Sequence, residues 1–141
     1  MSAPRYERIA FRDGYKYQLV DAYCVATDLR PTAPIDTRWI TLALDGTLTI
    51  REGYAWDGPS GPTVDSSCFM RGSLAHDAIY QLIREGALDA SWKDTADRML
   101  QRMCREDGMT RLRAWWVYQG VARFGRAATL PSGGRPVRYA P

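Results

Sequence analysis

The sequence predicts an α+β fold, a small antiparallel β-sheet in the N-terminal half packed with three C-terminal helices. Three observations carry this. Residues 15–50 are rich in β-branched and aromatic side chains in loose alternation. A glycine- and proline-locked loop follows them. From Ser67 onward, cap and stop residues frame three helical segments. A chain of 141 residues, 45% of them hydrophobic, fits a single domain with a real core.

Each element has its own signal. Residues 15–25, Tyr-Lys-Tyr-Gln-Leu-Val-Asp-Ala-Tyr-Cys-Val, read as strand. Residues 30–35, Arg-Pro-Thr-Ala-Pro-Ile, read as a loop between strands. Residues 39–44 then meet Thr47–Ile50 across Asp45-Gly46, a pair that favours a two-residue hairpin because both central positions need positive φ. In that register Ile40, Leu42 and Leu44 face one way, joined by Leu48 and Ile50. Residues 57–66 form a polar Gly/Pro loop that ends the mainly β portion, residues 1–56. The first helix is predicted from Ser67 to Arg84, stopped by Gly86. Ser91 caps the second, with Asp94 three residues on; it runs to about Glu106 and ends near Gly108. Thr110 caps the third, Arg111 to Phe124, ended by Gly125. Residues 126–141 read as an extended tail.

Several classes of function are excluded. No apolar run approaches the 18 residues of a membrane span, and the N-terminus lacks the apolar centre of a signal peptide. Cys24, Cys68 and Cys104 show neither a disulfide framework nor a zinc spacing, which fits free thiols in a reducing compartment. One histidine excludes multi-histidine zinc sites, and no phosphate-cradling or dinucleotide-binding glycine loop is present. The net charge is +3, but it is uneven: from Arg98 onward nine arginines stand against Glu106 and Asp107, a net of +7. A basic C-terminal third suits either a solvated face or an anionic partner.

The chemistry points to the only histidine. His76 and Tyr80 lie four apart on one face of the first helix, and Asp77 is rotated from His76 by about 100°. The short link of residues 85–90 makes the first two helices an antiparallel hairpin, and at about 1.5 Å per residue Asp97 falls level with His76 and Tyr80. A carboxylate there orients an imidazole and stabilises its cation, the logic of a general base acting on water. Asp77, turned toward the loop, suits a hard cation such as calcium, with backbone carbonyls of Trp56, Gly58 and Gly61 as further ligands. Asp57 and Ser60 complete the loop.

Two resemblances follow from these residues. His76-Asp77 with Tyr80 on one helix, Asp97 on the antiparallel helix, and a glycine-rich loop about fifteen residues upstream resemble the core of secreted phospholipase A2. That resemblance implies a water activated by His76 and a calcium-polarised ester carbonyl. The chain departs from the family in its loop pattern and lacks its flanking cysteines, Cys68 apart. Over residues 50–100 the run Gly53-Tyr-Ala-Trp-Asp-Gly-Pro-Ser-Gly-Pro, then Leu74-Ala-His-Asp-Ala-Ile-Tyr, then Ala96-Asp97-Arg98, is similar to a family of tailed phages and prophages, domain of unknown function 1353. It implies a phage or prophage source, with host cytoplasm or virion as the location, and supplies no established activity.

Two classes of function stay open. One is a small metal-assisted hydrolase of lipid esters. The other is a non-enzymatic particle component or host-directed binding module, in which His76 pairs with Asp97 only to satisfy two buried polar groups. Asp57 has the alternative of an Asx-turn, and Ser60 that of an ordinary turn residue. In the third helix Trp115, Trp116, Tyr118 and Phe124 crowd together with Arg111, Arg113, Arg123 and Arg126. That composition suits a core helix first, an anionic lipid surface second and nucleic acid last. Phage structural proteins are the remaining partner class.

Overall fold

A computed structural model describes residues 11–12, 17–56 and 67–130. The chain is α+β, with antiparallel strands in the first half and helices in the second. It divides into two compact units after Asp57.

The N-terminal unit holds seven short strands, β1 (Phe11–Arg12), β2 (Tyr17–Leu19), β3 (Tyr23–Ala26), β4 (Ile35–Asp36), β5 (Ile40–Leu42), β6 (Thr47–Ile50) and β7 (Ala55–Trp56). They form two antiparallel sheets, ordered β1-β2-β7 and β3-β6-β5-β4, in place of the one sheet expected. The predicted strand over 15–25 is broken by a bend at residues 20–21, so its two parts, β2 and β3, join different sheets. β4 falls at the end of the segment expected to be loop.

The register of β5 on β6 places Ile40 opposite Ile50 and Leu42 opposite Leu48, and all four are buried. The turn differs from the two-residue form. Ala43 N donates to Thr47 O at 2.9 Å and Gly46 N donates to Ala43 O at 3.0 Å, which closes a three-residue loop over 44–46. Gly46 takes φ of +91°, and the Asp45 carboxylate accepts from Thr47 N at 2.9 Å. The added loop residue takes Leu44 out of the strand alternation. It is exposed and does not share the face of Ile40 and Leu42. Gly46 is also crowded: its carbonyl accepts from Thr27 Oγ1 at 2.6 Å, and Arg30 Nη1 clamps the carbonyls of Thr27 and Leu29 beside it.

The C-terminal unit is a helical hairpin with two additions. α1 (Ser67–Arg84) spans the predicted residues, and Gly86 at φ of +78° ends it, with Ala87 N donating back to Leu82 O. The second helix starts differently. Asp89, not Ser91, supplies the cap: its carboxylate accepts from Ser91 N at 2.8 Å and opens a 3₁₀ turn, Ala90–Trp92, ahead of α2 (Lys93–Glu106). Asp94 is thereby released to accept from Tyr118 Oη at 2.6 Å and Arg98 Nε at 2.7 Å. α3 (Arg111–Phe124) is capped as expected, Thr110 Oγ1 accepting from Arg113 N. Gly125 remains right-handed (φ −77°), so the helical path resumes in α4 (Arg126–Thr129). Residues 126–129 thus correct the expected extended tail. Arg84 Nη1 donates to Ala128 O at 3.0 Å, and that bond holds the turn against α1.

Close packing fixes this hairpin. A Cβ at Gly72 would lie 3.0 Å from Leu100 Cδ1, so glycine sets the α1–α2 approach. Phe69, Leu100, Cys104, Met109, Ala114 and Val117 make a buried cluster that joins the three long helices. Arg71, buried on α1, donates through Nε to Asp107 Oδ2 at 3.0 Å and through Nη2 to Glu106 Oε1 at 2.9 Å, fastening the end of α2. The cysteines are free, and burial pushes the Cys104 thiol up to about 12.

Candidate functional site

The hairpin geometry brings His76, Tyr80 and Asp97 together. His76 and Tyr80 are one turn apart on α1, with ring centroids 4.0 Å apart. Asp97 enters from α2. Its Oδ1 lies 2.8 Å from His76 Nε2 and accepts from Tyr80 Oη at 2.6 Å. Its Oδ2 accepts from Lys93 Nζ at 2.7 Å. Three donors therefore surround one carboxylate that is only 1% exposed, and a buried charge requires such partners.

Lys93 is the member that the sequence reading missed. It stands one turn before Asp97, an i,i+4 spacing that does signal a pair. Its ammonium also donates to Val121 O at 3.1 Å, near the end of α3. Cations favour that end of a helix, so Lys93 ties α3 to the cluster.

The electrostatics follow from burial and charge. Burial pushes the His76 pKa down, while the carboxylates of Asp77 and Asp97 push it up and prevail, so His76 holds its proton above the ordinary histidine range. Burial pushes Asp97 up, but the bonds from His76, Lys93 and Tyr80 outweigh it, and Asp97 stays ionised below the ordinary carboxylate range. Burial, then the bond to Asp97, raises the Tyr80 phenol, which stays protonated.

These states assign the imidazole nitrogens. An ionised carboxylate only accepts, so Nε2 carries a proton and donates to Asp97. In neutral His76 the lone pair is then on Nδ1. Nδ1 lies 3.9 Å from Asp77 Oδ1, a separation that one water molecule can bridge. The imidazole thus lies between two carboxylates, Asp97 at Nε2 and Asp77 near Nδ1.

Of the expected metal ligands, only Asp77 and Trp56 lie among the described residues. Asp77 is partly exposed, and its only ion-pair contact among the described residues is His76 Nδ1. Asp57, Gly58, Ser60 and Gly61 lie outside the described residues. Trp56 is in β7 of the N-terminal unit, opposite Tyr17, with its side chain buried. Among the described residues no three His, Cys, Asp or Glu side chains converge to hold a metal ion. One carboxylate does not make a calcium site, which takes six to eight oxygens.

No family model, no curated protein and no solved structure matches the chain.

Proposed function

We propose that the chain is a phage- or prophage-encoded hydrolase of lipid esters, with His76 as general base and Asp97 as the group that orients it. The observation that carries this reading is the division of labour on the imidazole: Nε2 is committed to Asp97 at 2.8 Å, while Nδ1 faces Asp77 across 3.9 Å. Water held between Nδ1 and Asp77 would lose its proton to Nδ1 as it attacks an ester carbonyl. Asp97 stabilises the resulting imidazolium, and Tyr80 fixes the carboxylate that does so. A calcium ion with Asp77 as its side-chain ligand would supply charge for the developing oxyanion. An anionic lipid surface is the partner this reading implies. Support comes also from the order of loop, His-Asp-x-x-Tyr helix and Ala-Asp helix in the sequence.

The test is turnover of phospholipid and of a soluble ester by the purified protein, with and without millimolar calcium. Because the His76 pKa is raised, turnover is expected to grow as pH rises and Nδ1 loses its proton. Turnover in the wild type that falls about 10²–10⁴-fold in His76→Ala supports general-base catalysis. No turnover of either ester with calcium present would sink it.

A second reading has its own observation. His76 is 6% exposed and its cluster is satisfied by side chains of α1 and α2 alone. That is the pattern of a structural ion cluster, and it supports a non-enzymatic phage particle component or host-directed binding module.

A further inference from the structure

The outer side of the helical unit holds a feature that the His76 cluster does not use. Arg98, Gln101, Arg102 and Arg105 recur along one stripe of α2. With Arg111 from the first turn of α3 they line an open groove of about 340 Å³. Arg98 and Arg105 are held in place by bonds within the unit. Arg98 is bonded to Asp94 at 2.7 Å and lies 5.4 Å over the Tyr118 ring; Arg105 Nη1 donates to Met109 O at 2.7 Å. The N-terminal end of α3, the positive end of its dipole, adjoins the groove at Arg111.

Next to the groove, α3 turns an apolar face outward. Leu112, Trp115 and Trp116 are 68%, 45% and 62% exposed, while Ala114 and Val117 on the other side are buried. Trp115 is one turn from Arg111, so the cationic and apolar surfaces are continuous. The two indoles touch edge to face at 5.1 Å. A contiguous exposed apolar patch marks an interaction site. Its fringe of arginines specifies an anionic partner, and the apolar side chains specify one with a hydrocarbon interior. Nucleic acid would stack on the indoles but offers nothing to Leu112.

We propose that this face of α2 and α3 docks on an anionic phospholipid surface. Headgroup phosphates occupy the Arg98–Arg102–Arg105–Arg111 groove, the indoles sit at headgroup level, and Leu112 enters the acyl boundary. No described helix is long and apolar enough to cross a membrane, so α3 lies on the surface. The proposal uses no residue of the His76 cluster.

Sedimentation with lipid vesicles tests it. The protein is expected to bind phosphatidylglycerol-containing vesicles at least tenfold more tightly than pure phosphatidylcholine vesicles, and less tightly as salt rises. An arginine near an anionic surface is worth about fivefold in affinity. The exposed pair Arg102→Ala/Arg111→Ala is therefore expected to lose about 25-fold, and Trp116→Ala to weaken binding further. His76→Ala is expected to bind like the wild type, so loss of hydrolysis and loss of docking are separable. Equal binding to both vesicle types, or to neither, overturns the proposal, as does binding of a single-stranded oligonucleotide in preference to the anionic vesicles.

Discussion

Replacing Asp97 with asparagine tests the centre of the helical hairpin. The side chain keeps its shape and loses its charge. Asp97 accepts from three donors at 2.6 to 2.8 Å, and bonds to a charged group contribute about 1.5–3 kcal/mol each. Their sum overstates the effect. The amide oxygen of asparagine at the Oδ1 position still accepts from His76 and Tyr80, Lys93 retains the Val121 carbonyl, and the variant no longer buries a carboxylate. Breaking a buried ion pair by removing one partner costs about 3–5 kcal/mol; with these offsets Asp97→Asn is expected near 3 kcal/mol. Urea unfolding measures it as a shift of midpoint at unchanged slope. The pH dependence supplies a second reading. The folded pKa of His76 is raised, so its stabilisation is complete below about pH 6.5 and is lost as pH rises through the folded value. The folded pKa of Asp97 is depressed, so its stabilisation is complete above about pH 3.9 and is lost as pH falls through the folded value. The wild type is most stable between these limits, and Asp97→Asn flattens both flanks. A loss below about 1 kcal/mol, with both flanks intact, would refute the placement of Asp97 at the centre of this cluster.

Three further substitutions probe neighbouring contacts. Tyr80→Phe removes one 2.6 Å bond to a carboxylate that keeps two donors, and calorimetric melting is expected to report a loss of about 1.5 kcal/mol. Gly125→Ala drives a Cβ into Tyr80 Oη and the Val121 carbonyl; overpacking of this kind costs about 1–3 kcal/mol. The Tyr80–Asp97 bond is expected to be displaced with it, which a double-mutant cycle with Tyr80→Phe reveals as non-additivity. In the N-terminal unit, Gly46→Ala combines φ of +91° with contacts on the Thr27 and Leu29 carbonyls. Chemical denaturation is expected to show a loss above about 1 kcal/mol; a neutral result there would contradict the three-residue turn.

What could be read in the sequence was what depends on local spacing. The extent of α1 follows from Gly86, the one residue there that accepts a left-handed C-cap, and the level of Asp97 against His76 follows from helix rise and a short link. Competition between neighbours was harder to read. Asp89 and Ser91 both cap helices, and the outcome turned on which one's oxygen reached a backbone N–H; Asp89 took Ser91 N, which left Asp94 to Tyr118 and Arg98. Asp45-Gly46 signals a hairpin but not its length, so the alternation over 40–44 placed Leu44 on the wrong side. Gly125 looked like a stop signal. Its role is steric: it lies beside Tyr80, and a right-handed φ lets α4 continue. The division of the strands into two sheets depends on a bend at residues 20–21 in a segment whose composition is strand throughout.

Lys93 alters what His76 can do. Asp97 alone beside a buried imidazole would favour the imidazolium strongly, and a histidine locked in its charged form is no base. The Lys93 ammonium occupies Oδ2 of the same carboxylate whose Oδ1 takes Nε2. It shares that carboxylate with His76, while Asp77 and Asp97 together still hold the His76 proton above the ordinary histidine range. With His76 protonated, the four groups His76, Lys93, Asp77 and Asp97 sum to zero; with it neutral they carry one negative charge, and that charge borders the half-exposed Asp77. The cluster therefore places its excess negative charge on the side of Nδ1 and Asp77. The lysine on the second oxygen satisfies the buried carboxylate, which serves a structural cluster as well as a catalytic one.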